Sequence, residues 1–101
     1  MSYDISLTDA NGEVYWRNHT SNTSRMWRTA GVDLHDLHGR TGRDLAEAVS
    51  PALAVIVADP DQFEQYVPDN KWGTVETTVS FLSDLVRAGR EHPDAIVTVS
   101  A

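Results

Sequence analysis

Residues 3–17 read YDISLTDANGEVYWR, and the way this stretch pairs with itself decides the fold. Tyr3, Ile5 and Leu7 alternate with Asp4, Ser6 and Thr8. A period of two puts the apolar set on one face, as a half-buried strand requires. Asn11-Gly12 then supplies two residues that tolerate positive φ, the strongest short hairpin signal. Val14 and Trp16 alternate with Glu13, Tyr15 and Arg17. Centring the turn on Asn11-Gly12 sets Leu7 opposite Trp16 and predicts a hairpin of 2–9 and 13–18.

Helical spacing follows. Residues 20–30 open on Thr20, Ser21, Asn22, Thr23 and Ser24, carry Met26, Trp27 and Ala30, and end at Gly31. Hydroxyl and amide side chains suit a helix start and glycine suits its end, so a short helix is expected. Residues 32–42 read as a loop with turns. Residues 43–58 repeat Leu45, Ala46, Val49, Leu53, Ile56 and Val57 at helical spacing, interrupted by Pro51. The expectation is one kinked or stepped helix, because an interior proline removes a hydrogen bond. Asp59-Pro60 starts a short helix near 60–66, which Pro68 ends. Val75, Val79, Leu82 and Val86 mark the clearest helix, 75–90, with Thr74 as its cap. Residues 95–100, AIVTVS, are β-branched and predict a closing strand beside the first. The class is α+β: the N-terminal hairpin and the C-terminal strand form a three-stranded antiparallel sheet packed against three to four helices. A sheet this small is expected to leave its edges open to pairing.

The 101 residues suit a single domain spanning 1–101. With no cysteine, disulfides and thiolate chemistry are excluded. The start MSYDISLTD lacks the basic and apolar regions of a signal peptide, and no apolar run approaches a membrane span. A cytoplasmic protein without membrane association is expected. One lysine against seven arginines suggests a GC-rich genome, that of an actinobacterium or one of its phages. The net charge is −7. Five arginines fall between Arg17 and Arg43, whereas Asp44–Asn70 holds six acids and no base. An acidic balance disfavours direct nucleic-acid binding; segregated charge suits a steered protein contact or a self-complementary oligomer.

Chemical motifs are sparse. Two N-x-S/T triplets at Asn18 and Asn22 are read as polar helix-start residues, since no secretory signal accompanies them. His35 and His38 lack further ligands at zinc spacing. Phe63 interrupts the acidic run 59–69 where calcium would need an oxygen. No nucleophile elbow is present. No cofactor and no metal are expected, and the reading leans against an enzyme. The candidate binding residues are His19, Thr20, Asn22, Arg25, Trp27, Arg28, Asn70 and Trp72. Arg25 and Arg28, one turn apart at a helix start, suggest an alternative as a small anion- or ligand-binding module. Trp72, in the polar run Asp69–Gly73, is expected to be partly exposed, as interface anchors are. The polar tract holds more capping groups than one helix needs. His19, Thr20 and Asn22 are expected to serve neighbouring loops around Gly39 and Trp72 from inside the fold.

The runs Asn18-x-Thr20-x-Asn22 with Met26-Trp27, Leu37-x-Gly39-x-Thr41-Gly42, and Pro68-x-Asn70-x-Trp72-Gly73 resemble a group of small bacterial and phage proteins with no assigned activity. The resemblance spans most of the chain and implies no chemistry. His35, His38, Arg40 and Arg43 fall outside its pattern. The expected function is therefore that of a small acidic interaction or regulatory accessory protein, phage- or prophage-encoded, that binds a protein partner or itself.

Overall fold

In a computed structural model describing residues 2–70 and 72–101, the order is β1 (Ser2–Asp9), β2 (Gly12–Thr20), α1 (Ser24–Ala30), α2 (Gly42–Ala58), α3 (Val75–Glu91) and β3 (Ile96–Ser100). Three 3-10 segments intervene, at Ser21–Thr23, Leu34–Leu37 and Pro60–Tyr66. The sheet is antiparallel in the order β2-β1-β3, so the closing strand lies beside the first and β1 is central. The class is α+β, with the helices covering one face. Tyr3, Ile5 and Leu7 on β1 and Val97 on β3 meet Met26, Trp27, Leu45, Val49, Ile56, Phe63, Phe81, Leu82 and Leu85 in one buried core.

The hairpin differs from its expected register. Asp9 pairs with Gly12, so the turn is centred on Ala10-Asn11, with the Asp9 carboxylate accepting the Asn11 N–H at 2.8 Å. Gly12 takes φ +106°, which favours glycine. Thr8 pairs with Glu13 but Leu7 pairs with Tyr15, so Val14 is an extra residue in a β-bulge. A one-residue slip exchanges the two faces of a strand. Tyr15, Arg17 and His19 therefore face the helices, and Trp16, Asn18 and Thr20 face outward. Leu7 does not oppose Trp16.

β2 also runs two residues further than expected, to Thr20, and the predicted helix 20–30 begins as a 3-10 turn before α1. Gly31 ends α1 at φ +114°. Thr41 and Asp44 form a reciprocal capping box at the start of α2, and Thr74 and Thr77 form one at the start of α3. Pro51 lies inside α2, which is a single helix, as the spacing predicts.

The outer edge of β3 is closed, contrary to the open edges expected. Gly39 N–H donates to the Val97 carbonyl at 2.8 Å, and Val97 N–H donates to the Arg40 carbonyl at 2.8 Å. His38 Nδ1 accepts the Val99 N–H at 3.0 Å. β2 is the edge strand on the other side.

Candidate functional site

The polar tract divides between the core and the surface. His19 is 7% exposed and lies parallel to Phe81, with ring centroids 4.4 Å apart and planes 7° apart. Its Nε2 is 3.1 Å from the Thr23 hydroxyl, which accepts a 2.8 Å hydrogen bond from the Thr78 hydroxyl on α3. Thr23 and Thr78 are fully buried. With its oxygen accepting from Thr78, Thr23 has a proton to donate to a neutral imidazole. Burial pushes the imidazole pKa down to about 4, and the nearby Arg17 charge adds to the shift. The ring is therefore neutral near pH 7, and the three groups satisfy one another between β2, the 3-10 turn and α3.

Thr20 and Thr23 also define the neighbouring junction. Gly73 has φ +101°, and a Cβ there would meet the methyl groups of both threonines. The Thr20 hydroxyl accepts the Asn22 N–H at 3.2 Å, capping the 3-10 turn, while Asn22 itself is exposed. Thr23 makes no cap hydrogen bond to α1, because its hydroxyl is turned to His19 and Thr78.

The two arginines of α1 have different partners. Arg28 Nη2 donates to the Tyr3 hydroxyl at 3.1 Å, and the Arg25 guanidinium lies 5.9 Å from the centroid of Tyr66. Trp27 is fully buried, edge-on to Tyr3 at 5.4 Å and 5.6 Å from Phe81. Its indole N–H has no acceptor among the described residues.

The remaining candidates lie on the surface. The Asn70 side chain accepts the Trp72 N–H at 3.0 Å, turning the chain so that Trp72 is 70% exposed. Trp16 is 58% exposed on the outward face of β2. Asn18 and Thr20 continue that face by alternation. Gly73 abuts Thr20 and Thr23, so the segment carrying Trp72 lies beside the C-terminal end of β2. One tryptophan of three is therefore a core residue.

Several participants were not evident in the pattern of residue types. Thr23, Thr78 and Asp84 were not candidates, yet Arg17 forms an ion pair with Asp84, which also pairs with Arg87 at 3.2 Å. Thr78 sits at helical spacing with Phe81, Leu82 and Leu85, a signal that could have marked it as inward-facing. Burial and the Asp84 charge push the Tyr15 phenol pKa up. The histidines are dispersed: His38 serves β3, His35 packs against Tyr3, and His19 is internal. Among the described residues, no helix is long and apolar enough to cross a membrane.

Where α2 and α3 meet, an open cleft of about 550 Å³ is floored by Ala46 and Gly89 and rimmed by Arg43, Glu47, Ser50 and Arg90. No family model matches the chain, and comparison with curated proteins and with solved structures returns no significant match.

Proposed function

We propose that this chain is a small accessory protein that binds a protein partner through the outward face of its hairpin. The observation carrying this reading is the pair of exposed tryptophans, Trp16 on β2 and Trp72 in the segment beside the end of β2. A largely exposed indole leaves a large apolar surface in water, and burying it against a partner is a common source of binding energy. His19, Thr23 and Thr78 are joined to one another across the core and are not available to a partner. Capture from lysate with immobilised protein tests the proposal. Trp16→Ala and Trp72→Ala are each expected to weaken a captured partner's affinity by about tenfold or more. Retention unchanged in the double variant would overturn the assignment. The same reading places the protein in the cytoplasm as a phage or prophage accessory factor. Its gene neighbourhood and cell fractionation test that placement.

A further inference from the structure

The cleft between α2 and α3 is independent of the tryptophans. Its floor is Ala46 and Gly89, both buried. Neither has a side chain larger than a methyl group, so the surface is recessed between longer neighbours. The two helices are drawn together at one end of it, where a Cβ on Gly89 would collide with the Gly42 carbonyl oxygen. Arg43 follows Gly42 and Arg90 follows Gly89, so both cations rim the cleft at this end. On α2, Glu47 is one turn beyond Arg43, and Ser50 and Pro51 come another turn beyond Glu47. At about 550 Å³ the cleft has room for a small molecule.

The charges facing this cleft are left free by the fold. Glu47 and Arg90 form no ion pair among the described residues. Arg43 is 3.7 Å from Asp94, but both side chains are largely exposed, so this pair is weak. Spacing alone does not keep Arg43 and Glu47 apart, because Arg40 and Asp44, also four residues apart, meet at 3.2 Å. Glu47 offers a second acceptor as well. Its backbone carbonyl would ordinarily receive the N–H of residue 51, which is a proline and has none.

We infer that this cleft binds a dipeptide-sized zwitterion, with its carboxylate on Arg43 and Arg90 and its ammonium on Glu47. Guanidinium forks match a carboxylate in paired hydrogen bonds. An ammonium carries three N–H donors. The Glu47 carboxylate, the Glu47 carbonyl and the Ser50 hydroxyl supply three acceptors on one wall. A purely anionic ligand would meet Glu47 as a like charge, and a purely cationic one would meet two guanidiniums. The spacing selects the length. Four residues of helix, Arg43 to Glu47, rise about 6 Å. The amino nitrogen and carboxyl carbon of an extended dipeptide are also about 6 Å apart, whereas in a single amino acid both are bonded to one carbon and lie about 2.5 Å apart. The ligand's body then lies over the apolar floor of Ala46 and Gly89.

Amide NMR titration of the full chain with the dipeptide Ala-Leu tests the inference, and the spectrum itself reports folding. The amides of Arg43, Glu47, Ser50 and Gly89 are expected to shift together, with a Kd of about 1 mM or tighter. N-acetyl-Ala-Leu and Ala-Leu amide should each bind about tenfold more weakly, having lost one charged end. Leucine, too short to reach both ends, should be weaker by a similar factor. Glu47→Gln, at an exposed position, should erase the preference for the free amine over the acetylated one and keep the preference for the free carboxylate. Arg90→Gln should do the reverse. A general loss of structure would not produce that crossed pattern. Trp16→Ala should leave the titration unchanged, which separates this site from the hairpin surface. Amides around the cleft that do not respond to Ala-Leu overturn the inference. So does leucine binding as tightly as the dipeptide, or a Glu47→Gln variant that still prefers the free amine.

Discussion

His19 and Gly89 show how one residue's surroundings reverse its ordinary behaviour. A histidine in the unfolded chain titrates near 6.5, whereas in the fold its pKa is pushed down to about 4. Between those values the unfolded chain takes up a proton that the folded ring refuses. Stability is therefore full above pH 6.5 and is lost as pH falls through that window toward 4. Urea denaturation at about pH 7 and about pH 4.5 should differ by roughly 1–3 kcal/mol from this residue. In His19→Gln that part of the difference should vanish; an unchanged acid slope would mean that other groups carry it. Gly89 lies within α3, where alanine would ordinarily gain about 1 kcal/mol in helix propensity. Here a Cβ would collide with the Gly42 carbonyl oxygen, a backbone atom that cannot swing aside. Overpacking of this kind costs about 1–3 kcal/mol, more than the propensity gain. Gly89→Ala should lower the Tm, and a raised Tm would show that the two helices have room to separate.

At the scale of elements, most boundaries were legible in the sequence because they depend on local chemistry. The cap at Thr74, the stop at Gly31 and the spacing of Val75–Val86 need only neighbouring residues, whereas Thr41, in a stretch that reads as loop, caps α2. The face assignment of β2 was not legible. Alternation shows that two faces exist, but the single extra residue at Val14 decides which faces inward, and no residue type announces it. Trp16 consequently moved from expected core to surface, and His19 from helix start to buried strand residue. Pro51 illustrates the opposite case. Its local signal argues for a kink or step, yet the helix continues through it, with Leu45, Val49, Ala52 and Ile56 buried on both sides of the proline. Packing here overrides the missing N–H. Pro51→Ala restores a donor to the Glu47 carbonyl and removes the ring's steric conflict. It should stabilise the protein by about 1–2 kcal/mol, the propensity difference less the entropy returned to the unfolded chain. A loss of stability in thermal melts would show that the proline ring contributes packing that outweighs the hydrogen bond.

For the whole molecule, the least legible feature is how the sheet ends. Residues 38–42 read as a glycine-containing loop, yet they lie along β3 and tie it to α2. The Gly42 N–H donates to Ala95, Arg43 N–H donates to Pro93, and Thr41 bridges to Ile96. These contacts join segments about fifty residues apart in sequence, which local pattern does not encode. The arrangement protects one edge of a three-stranded sheet from pairing with another chain and leaves β2 as the other edge. It also explains why His38 is no metal ligand candidate in this geometry: its Nδ1 is occupied by the Val99 N–H. Amide hydrogen exchange can separate a true closing segment from a loop that merely passes nearby. The amides of Gly39, Gly42 and Val97 should be protected with those of central β1, because their donors are bonded inside one cooperative unit. The Ala10 amide in the hairpin turn should exchange early. His38→Ala should accelerate Val99 alone, by about tenfold, since only that amide loses its acceptor while the Gly39–Val97 pair stays formed. If Val97 exchanges as fast as Ala10, the 38–42 segment does not hold the edge, and β3 is open to a partner strand after all.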